Sequence, residues 1–236
     1  MNIFNQIVTD FSKKARQKRA LLFRNNFYLD KNTRILDLGS ETGSNINSVL
    51  QGTTIRPENI FIADINPDFL KEGHELFNYK TVLLDELGSI PFADDYFDIV
   101  YCSSVIEHVT VCKNQVWEIY SGKKFKKAAL ERQKRFANEI KRVGKQYFVQ
   151  TPYKHFIFES HSWLPFLSWV PRRILIPILK ITNLFWVKKT CPDWHLLDKK
   201  EMLSLFEFAE ILDEKCSGLT KSIMAIKSNK KNNFSI

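Results

Sequence analysis

The sequence predicts an α/β chain built on a doubly wound, mostly parallel sheet. Short apolar runs of strand length recur along the first 150 residues, and segments of helical length with one apolar face lie between them. A closing pair of runs around Ser217-Gly218 adds an antiparallel edge. At 236 residues with 44% apolar and 26% charged side chains, the chain suits one domain with a sizeable core and excludes collagen-like, mucin-like and wholly disordered classes.

Residues 3–27 carry Ile7, Phe11, Ala15, Leu21, Leu22 and Phe23 among many cations and read as a helix, strongly basic from Lys13 to Arg24. The strands expected next are RILDLG at 34–39, NIFIAD at 59–64, TVLLD at 81–85, FDIVYCS at 97–103 and QYFVQT at 146–151. Pro67 suits the first turn of a helix over 67–77, because its missing N–H would have no intrahelical partner there. In a helix over 125–143, Phe125, Ala129, Phe136, Ile140 and Val143 share one face. Between 123 and 145 ten Lys or Arg stand against two Glu, nearly the chain's whole surplus of +9. From 152 to 197 the chain turns aromatic and Pro-rich and reads as an insertion over one end of the sheet. A short helix near 199–206 and the strands AEILDEKC and TKSIMAIK follow.

The net charge and a pI near 9.3 favour anionic partners: nucleic acid, acidic head groups or phosphorylated small molecules. Cys102, Cys112, Cys191 and Cys216 form no CxxC pair, which argues against a zinc knuckle and for reduced thiols in the cytoplasm. The first residues lack the apolar core of a secretory signal, and the apolar stretch 164–187 is broken by Pro165, Pro171, Arg172, Arg173, Pro177 and Lys180, short of a membrane span.

Gly39 and Gly43 follow the first strand and open the next helix, where a missing Cβ lets backbone approach a cofactor. Asp64 ends the second strand about 20 residues on, the position from which a carboxylate accepts from ribose hydroxyls. Taken together, RILDLGSETGSN, FIADINPDFL and IPFADDYFDIVYCSSVIEHV resemble the successive motifs of class I S-adenosylmethionine-dependent methyltransferases of the small-molecule branch, in order from about Arg34 to Val109. A less specific likeness continues through EIKRVGKQYFVQTP to TKSIMAIK.

The resemblance implies a seven-stranded Rossmann-like sheet with an antiparallel last strand, and S-adenosyl-L-methionine as cofactor. It implies that Asp37, Gly39, Ser40 and Gly43 form the loop beside the methionine part, Asp64 holds the ribose and Ile65 packs on the adenine. Asp85 or Glu86 would accept from the adenine amine, and Ser103 or Ser104 would line the floor near the sulfonium. Glu41 departs from the family, which has Gly there: a φ above zero would strain it, whereas an ordinary conformation would leave it facing solvent.

Methyl transfer from a sulfonium requires no metal; the protein holds the acceptor in line and takes a proton. His108 and His161 are the candidate bases, while Glu107, Glu159, His161 and Arg172 are expected on the acceptor side. Trp163, Trp169, Trp186 and Trp194 could stack on an acceptor, meet lipid or pack in the core. The organisation expected is a basic helix over 1–30, the methyltransferase domain over 31–228 with its substrate-covering insertion at 152–197, and a polar tail over 229–236.

The expected activity is methylation of an oxygen or nitrogen on a small, glycan or lipid-linked acceptor, in the cytoplasm, with a peripheral contact to anionic membrane. RNA would suit the same positive surface. A non-catalytic binding module that keeps the fold is a rival, and a nicotinamide dehydrogenase is disfavoured because the loop is not GxGxxG.

Overall fold

A computed structural model describes residues 3–39, 41–85, 88–158, 161–186, 188–216 and 218–230, with side chains from residue 13 onward. One sheet holds β1 (Ile35–Leu38), β2 (Ile60–Asp64), β3 (Lys80–Leu83), β4 (Phe97–Ser103), β5 (Gly144–Pro152), β6 (Glu210–Cys216) and β7 (Leu219–Lys227). The order is β3-β2-β1-β4-β5-β7-β6, with β1 to β5 mutually parallel and β7 antiparallel to both β5 and β6. Every residue of β1 and β2 is buried, which is why both read as unbroken apolar runs rather than alternating ones.

Helices cover both faces. On one, α1 (Ile3–Asn26) and α2 (Ser44–Val49) pack Phe23 and Ile46 with Phe27, just past the end of α1, against Ile35, Ile62, Tyr101 and Phe148. On the other, α4 (Gly122–Val143) sets Phe136, Ala137, Ile140 and Val143 on Leu36, Leu38, Val100 and Val149. The helix α3 (Pro67–Phe77) begins at Pro67, as expected, with the Asn66 side chain accepting from Asp68 N. The helix α6 (Lys199–Leu205) starts in a capping box between Asp198 and Glu201.

Three features differ from the sequence reading. The third strand ends at Leu83, because the Asp85 side chain instead closes a turn by accepting from Gly88 N at 2.8 Å and Ser89 N at 3.3 Å. Within the insertion lies a helix, α5 (Arg172–Phe185), hidden in the sequence by Pro177, which falls on its exposed side. Leu175 and Leu179 of α5 join Leu167, Trp194 and Leu196 in a small core of their own. The segment 110–127, to which the sequence reading gave no role, lays Trp117 against that core and offers the Val116 and Ile119 carbonyls to Arg172.

Among the described residues no helix is long and apolar enough to cross a membrane.

Candidate active site

The strand order reverses between β1 and β4, so the loops leaving their C-terminal ends diverge and open a crevice at that edge. Two glycines shape it. Gly39 has φ +66°, and a Cβ there would stand 2.5 Å from Val105. The β1 loop is thus pressed onto the turn that follows β4. Gly43, at φ +77°, caps α2, and its Cβ would meet Ile62 at 2.9 Å.

Asp37 lies in β1 beside Ile62 and Tyr101, only 2% exposed, and its Oδ2 has no hydrogen-bond partner. Burial first, and then the neighbouring Asp64, push its carboxyl well above the usual carboxylate range. An unpartnered buried carboxylate is costly, so this oxygen is built for a cation or donor that the chain itself does not supply. Asp64 is held at the end of β2 by Glu41 N at 3.1 Å and Asn66 N at 2.9 Å, one to each oxygen, with lone pairs left over for further donors. Ile65 beside it is 48% exposed, an apolar surface open at the crevice. Glu41 has φ 51° and an exposed side chain, so the ordinary conformation is excluded: the backbone is left-handed, as the strained alternative required, while the carboxylate faces solvent.

Glu41→Gly should therefore raise stability by up to about 1 kcal/mol, since the relief of a left-handed non-glycine residue outweighs the extra freedom of the unfolded chain. Thermal unfolding measures this, and a lower midpoint would show that the Glu41 side chain makes a contact of its own.

The second half of the crevice follows β4. Ser103 and Ser104 both donate to Gln150 Oε1, at 2.7 and 3.1 Å, tying the end of β4 to β5. A 3-10 turn, Ile106–His108, then carries Glu107, which is fully buried; its Oε2 accepts from Thr151 Oγ1 at 3.0 Å while Oε1 is unpartnered. Burial raises the Glu107 carboxyl, and the adjacent His108 and His161 pull it back only in part. His161 Nε2 stands 3.9 Å from Glu107 Oε1, and the His161 ring stacks on Trp194 at 5.1 Å. His108 Nδ1 lies 3.1 Å from Asp193 Oδ1, and its ring meets His161 edge-on at 4.6 Å. Two histidines predicted from distant parts of the chain therefore share one site.

The expectation for Arg172 is corrected. Its guanidinium donates to the Ile119, Pro192 and Val116 carbonyls and lies 3.5 Å from the Phe125 ring centroid, and burial draws it down to about 10. This arginine ties the insertion to the 116–119 link and is not available to an acceptor. Ser40, Glu86 and Glu159 lie outside the described residues. His195 is structural: its Nδ1 pairs with Gln133 Oε1 at 3.1 Å and burial lowers it to about 4.

Sequence reasoning missed Asp193, Thr151 and Gln133. Gln133 Nε2 donates to both Ile106 O and His195 O, so a polar residue on the buried face of α4 clamps the β4 turn to the returning chain. A glutamine interrupting that apolar face was the available signal.

A groove of about 980 Å³ runs from the Glu41–Asn45 side of the crevice along α2, lined on the α1 side by Lys13, Arg16, Gln17 and Arg24.

A model of the methyltransferase domain matches residues 36–147. No curated protein matches the chain in sequence. Among solved structures, a Haloferax volcanii protein in complex with the Trm112 methyltransferase activator aligns over 97% of this chain and 98% of its own, at 11% identity and a TM-score of 0.53. Magnesium protoporphyrin IX methyltransferase from Synechocystis, solved with bound SAH, aligns over 97% and 89%, at 10% identity and 0.51. An S-adenosylmethionine-dependent methyltransferase from Methanosarcina mazei aligns over 84% and 92%, at 15% identity and 0.51. At these identities the likeness is one of fold.

Proposed function

The chain is a class I S-adenosylmethionine-dependent methyltransferase by its domain and sheet, and from that premise we propose that it methylates an oxygen or nitrogen of a lipid-linked acceptor met at a membrane surface. The observation that carries methyl transfer at this edge is a pair of buried carboxylates with one oxygen each lacking a hydrogen-bond partner, Asp37 on β1 and Glu107 after β4, while the lipid part of the reading rests on the outer face of α5.

The residues fit the cofactor. Asp37 Oδ2 would receive the cationic amino group, Asp64 the ribose hydroxyls, and the exposed Ile65 surface the adenine; Gly39 and Gly43 let the loop turn above it. Bound there, S-adenosylmethionine supplies a methyl group already activated on sulfur. The chain's own part is to align the acceptor and accept its proton, for which His161, backed by Glu107 and stacked on Trp194, is the candidate, with His108 beside it.

Asp64→Ala should weaken S-adenosylmethionine by about 1.5–3 kcal/mol, the range for hydrogen bonds to a charged group. Calorimetry reads it directly, and wild type should give no heat with NAD. An unchanged affinity in the variant would place the ribose elsewhere.

The outer face of α5 supports the membrane part of the reading. Ile174, Ile181, Leu184 and Phe185 project from it at 55%, 59%, 83% and 71% exposure, and Arg173 and Lys180 are exposed on the same helix. Apolar residues flanked by cations on one helix face suit an acidic bilayer surface. Wild type is expected to sediment with anionic liposomes at low salt and not with neutral ones, and Leu184→Asp with Phe185→Asp to remain in the supernatant. If wild type ignores anionic liposomes, the acceptor is not met at a membrane. Labelled methyl transfer to lipid extracts, compared with glycans and RNA, then decides the acceptor class.

A further inference from the structure

Glu107, His108 and His161 each present one donor atom, all within 4.8 Å of one another, and we propose that this cluster is a divalent-cation site of the zinc type that serves an oxygen acceptor. The inference rests on the preceding reading only in placing the acceptor at this cluster.

Three observations carry it. The first is composition and spacing: two imidazoles and one carboxylate, with an exposed edge, are the donor set of catalytic zinc centres, which keep one position open. Zinc bonds of about 2.0–2.1 Å set neighbouring ligand atoms roughly 3.3 Å apart, so the 3.9 Å between His161 Nε2 and Glu107 Oε1 needs only small side-chain rotations. The second is Glu107 itself. It is 0% exposed and Oε1 has no hydrogen-bond partner, a cost that a cation bound to that oxygen removes.

The third is the outer layer of contacts. Asp193 meets His108 Nδ1 at 3.1 Å, the carboxylate–histidine arrangement that fixes a ligating imidazole with its lone pair on Nε2. Thr151 donates to the other oxygen of Glu107 at 3.0 Å, and Trp194 stacks on His161. Each ligand is thus oriented by a neighbour, and two of these, Asp193 and Thr151, had no role in the sequence reading.

With the ion present the imidazoles are ligands rather than proton acceptors. A hydroxyl brought to the open position loses its proton to solvent water under the cation's field. Its electron pair then forms the O–CH3 bond while the methyl–sulfur bond breaks, and sulfur keeps that pair as a neutral thioether. The acceptor class this favours is a hydroxyl, not an amine.

The test uses untagged full-length protein, stripped by chelator and titrated with zinc by calorimetry and with cobalt by visible absorption. One ion per chain is expected, with the spectrum of four- or five-coordinate cobalt. Glu107→Gln, His108→Ala and His161→Ala should each lose stoichiometric binding while circular dichroism shows the fold intact. Asp193→Asn should keep one ion at about 10–100-fold weaker affinity, and His74→Ala, on α3, should bind as wild type. No stoichiometric ion on folded wild type, or binding unaltered in all three ligand variants, overturns the site. Labelled methyl transfer separates the two readings. Full turnover by the stripped protein overturns the metal inference and leaves His161 as proton acceptor. Zinc bound at the cluster in a protein that gives no heat with S-adenosylmethionine instead overturns the methyl-transfer reading and leaves the site standing.

Discussion

His161→Ala should lower methyl transfer about 10²–10⁴-fold while leaving affinity for S-adenosylmethionine unchanged. The magnitude is that of losing a positioned group at the reacting centre, as proton acceptor or as ligand of the proposed cation, and the selectivity follows from position: His161 meets Glu107, His108 and Trp194, on the β4 side of the crevice. Its ring stacks on Trp194 at the edge of the insertion's core, and Leu167, Leu175, Leu179 and Leu196 stay in place when it is removed, so the variant should fold. Steady-state rates with calorimetry on the same preparation check both halves. Normal turnover would remove His161 from the chemistry, and joint loss of turnover and cofactor affinity would show that the insertion shapes the cofactor side as well.

Phe23→Ala should destabilise the whole domain by about 3–5 kcal/mol, the usual cost of a large cavity in a closed core. Phe23 is fully buried, with ring centroids 4.8 Å from Phe27, 5.4 Å from Tyr101 and 5.7 Å from Phe148, so truncation opens the sheet face under α1. Chemical denaturation measures it. A loss under 1 kcal/mol would mean that α1 is a detachable basic appendage; the expected loss shows a helix whose inner face belongs to the core and whose outer face supplies Lys13, Arg16 and Arg24 to the groove.

The sequence alone determined the sheet and the loop edge proposed for the cofactor, because both depend on local signals. Buried parallel strands need continuous apolar runs, so ILDL, IFIAD and FDIVYCS announced themselves. Gly39, Gly43 and Asp64 are legible because the turn after β1 and the end of β2 are set by neighbours in the chain. Pro67 marked its helix start for the same reason. What Glu41 does was not decidable there, since its φ of 51° is imposed by the loop closing onto Asp64.

Only the tertiary structure brought together the cluster proposed for the acceptor side. Glu107 and His161 stand 54 positions apart in sequence, and Asp193 lies 85 from His108, so no spacing rule could join them. Arg172 looked like an anion ligand because a cation in a loop usually faces water; it is instead consumed by three backbone carbonyls that the 116–119 and 192 segments bring to it. The helix α5 escaped notice for a related reason: Pro177 reads as a breaker in sequence, yet on the outer face of a helix anchored by Leu175, Ile176 and Leu179 its missing N–H costs less than their burial returns. Local geometry is written in neighbouring residues, whereas a site assembled from three distant segments exists only once packing has brought their side chains within reach.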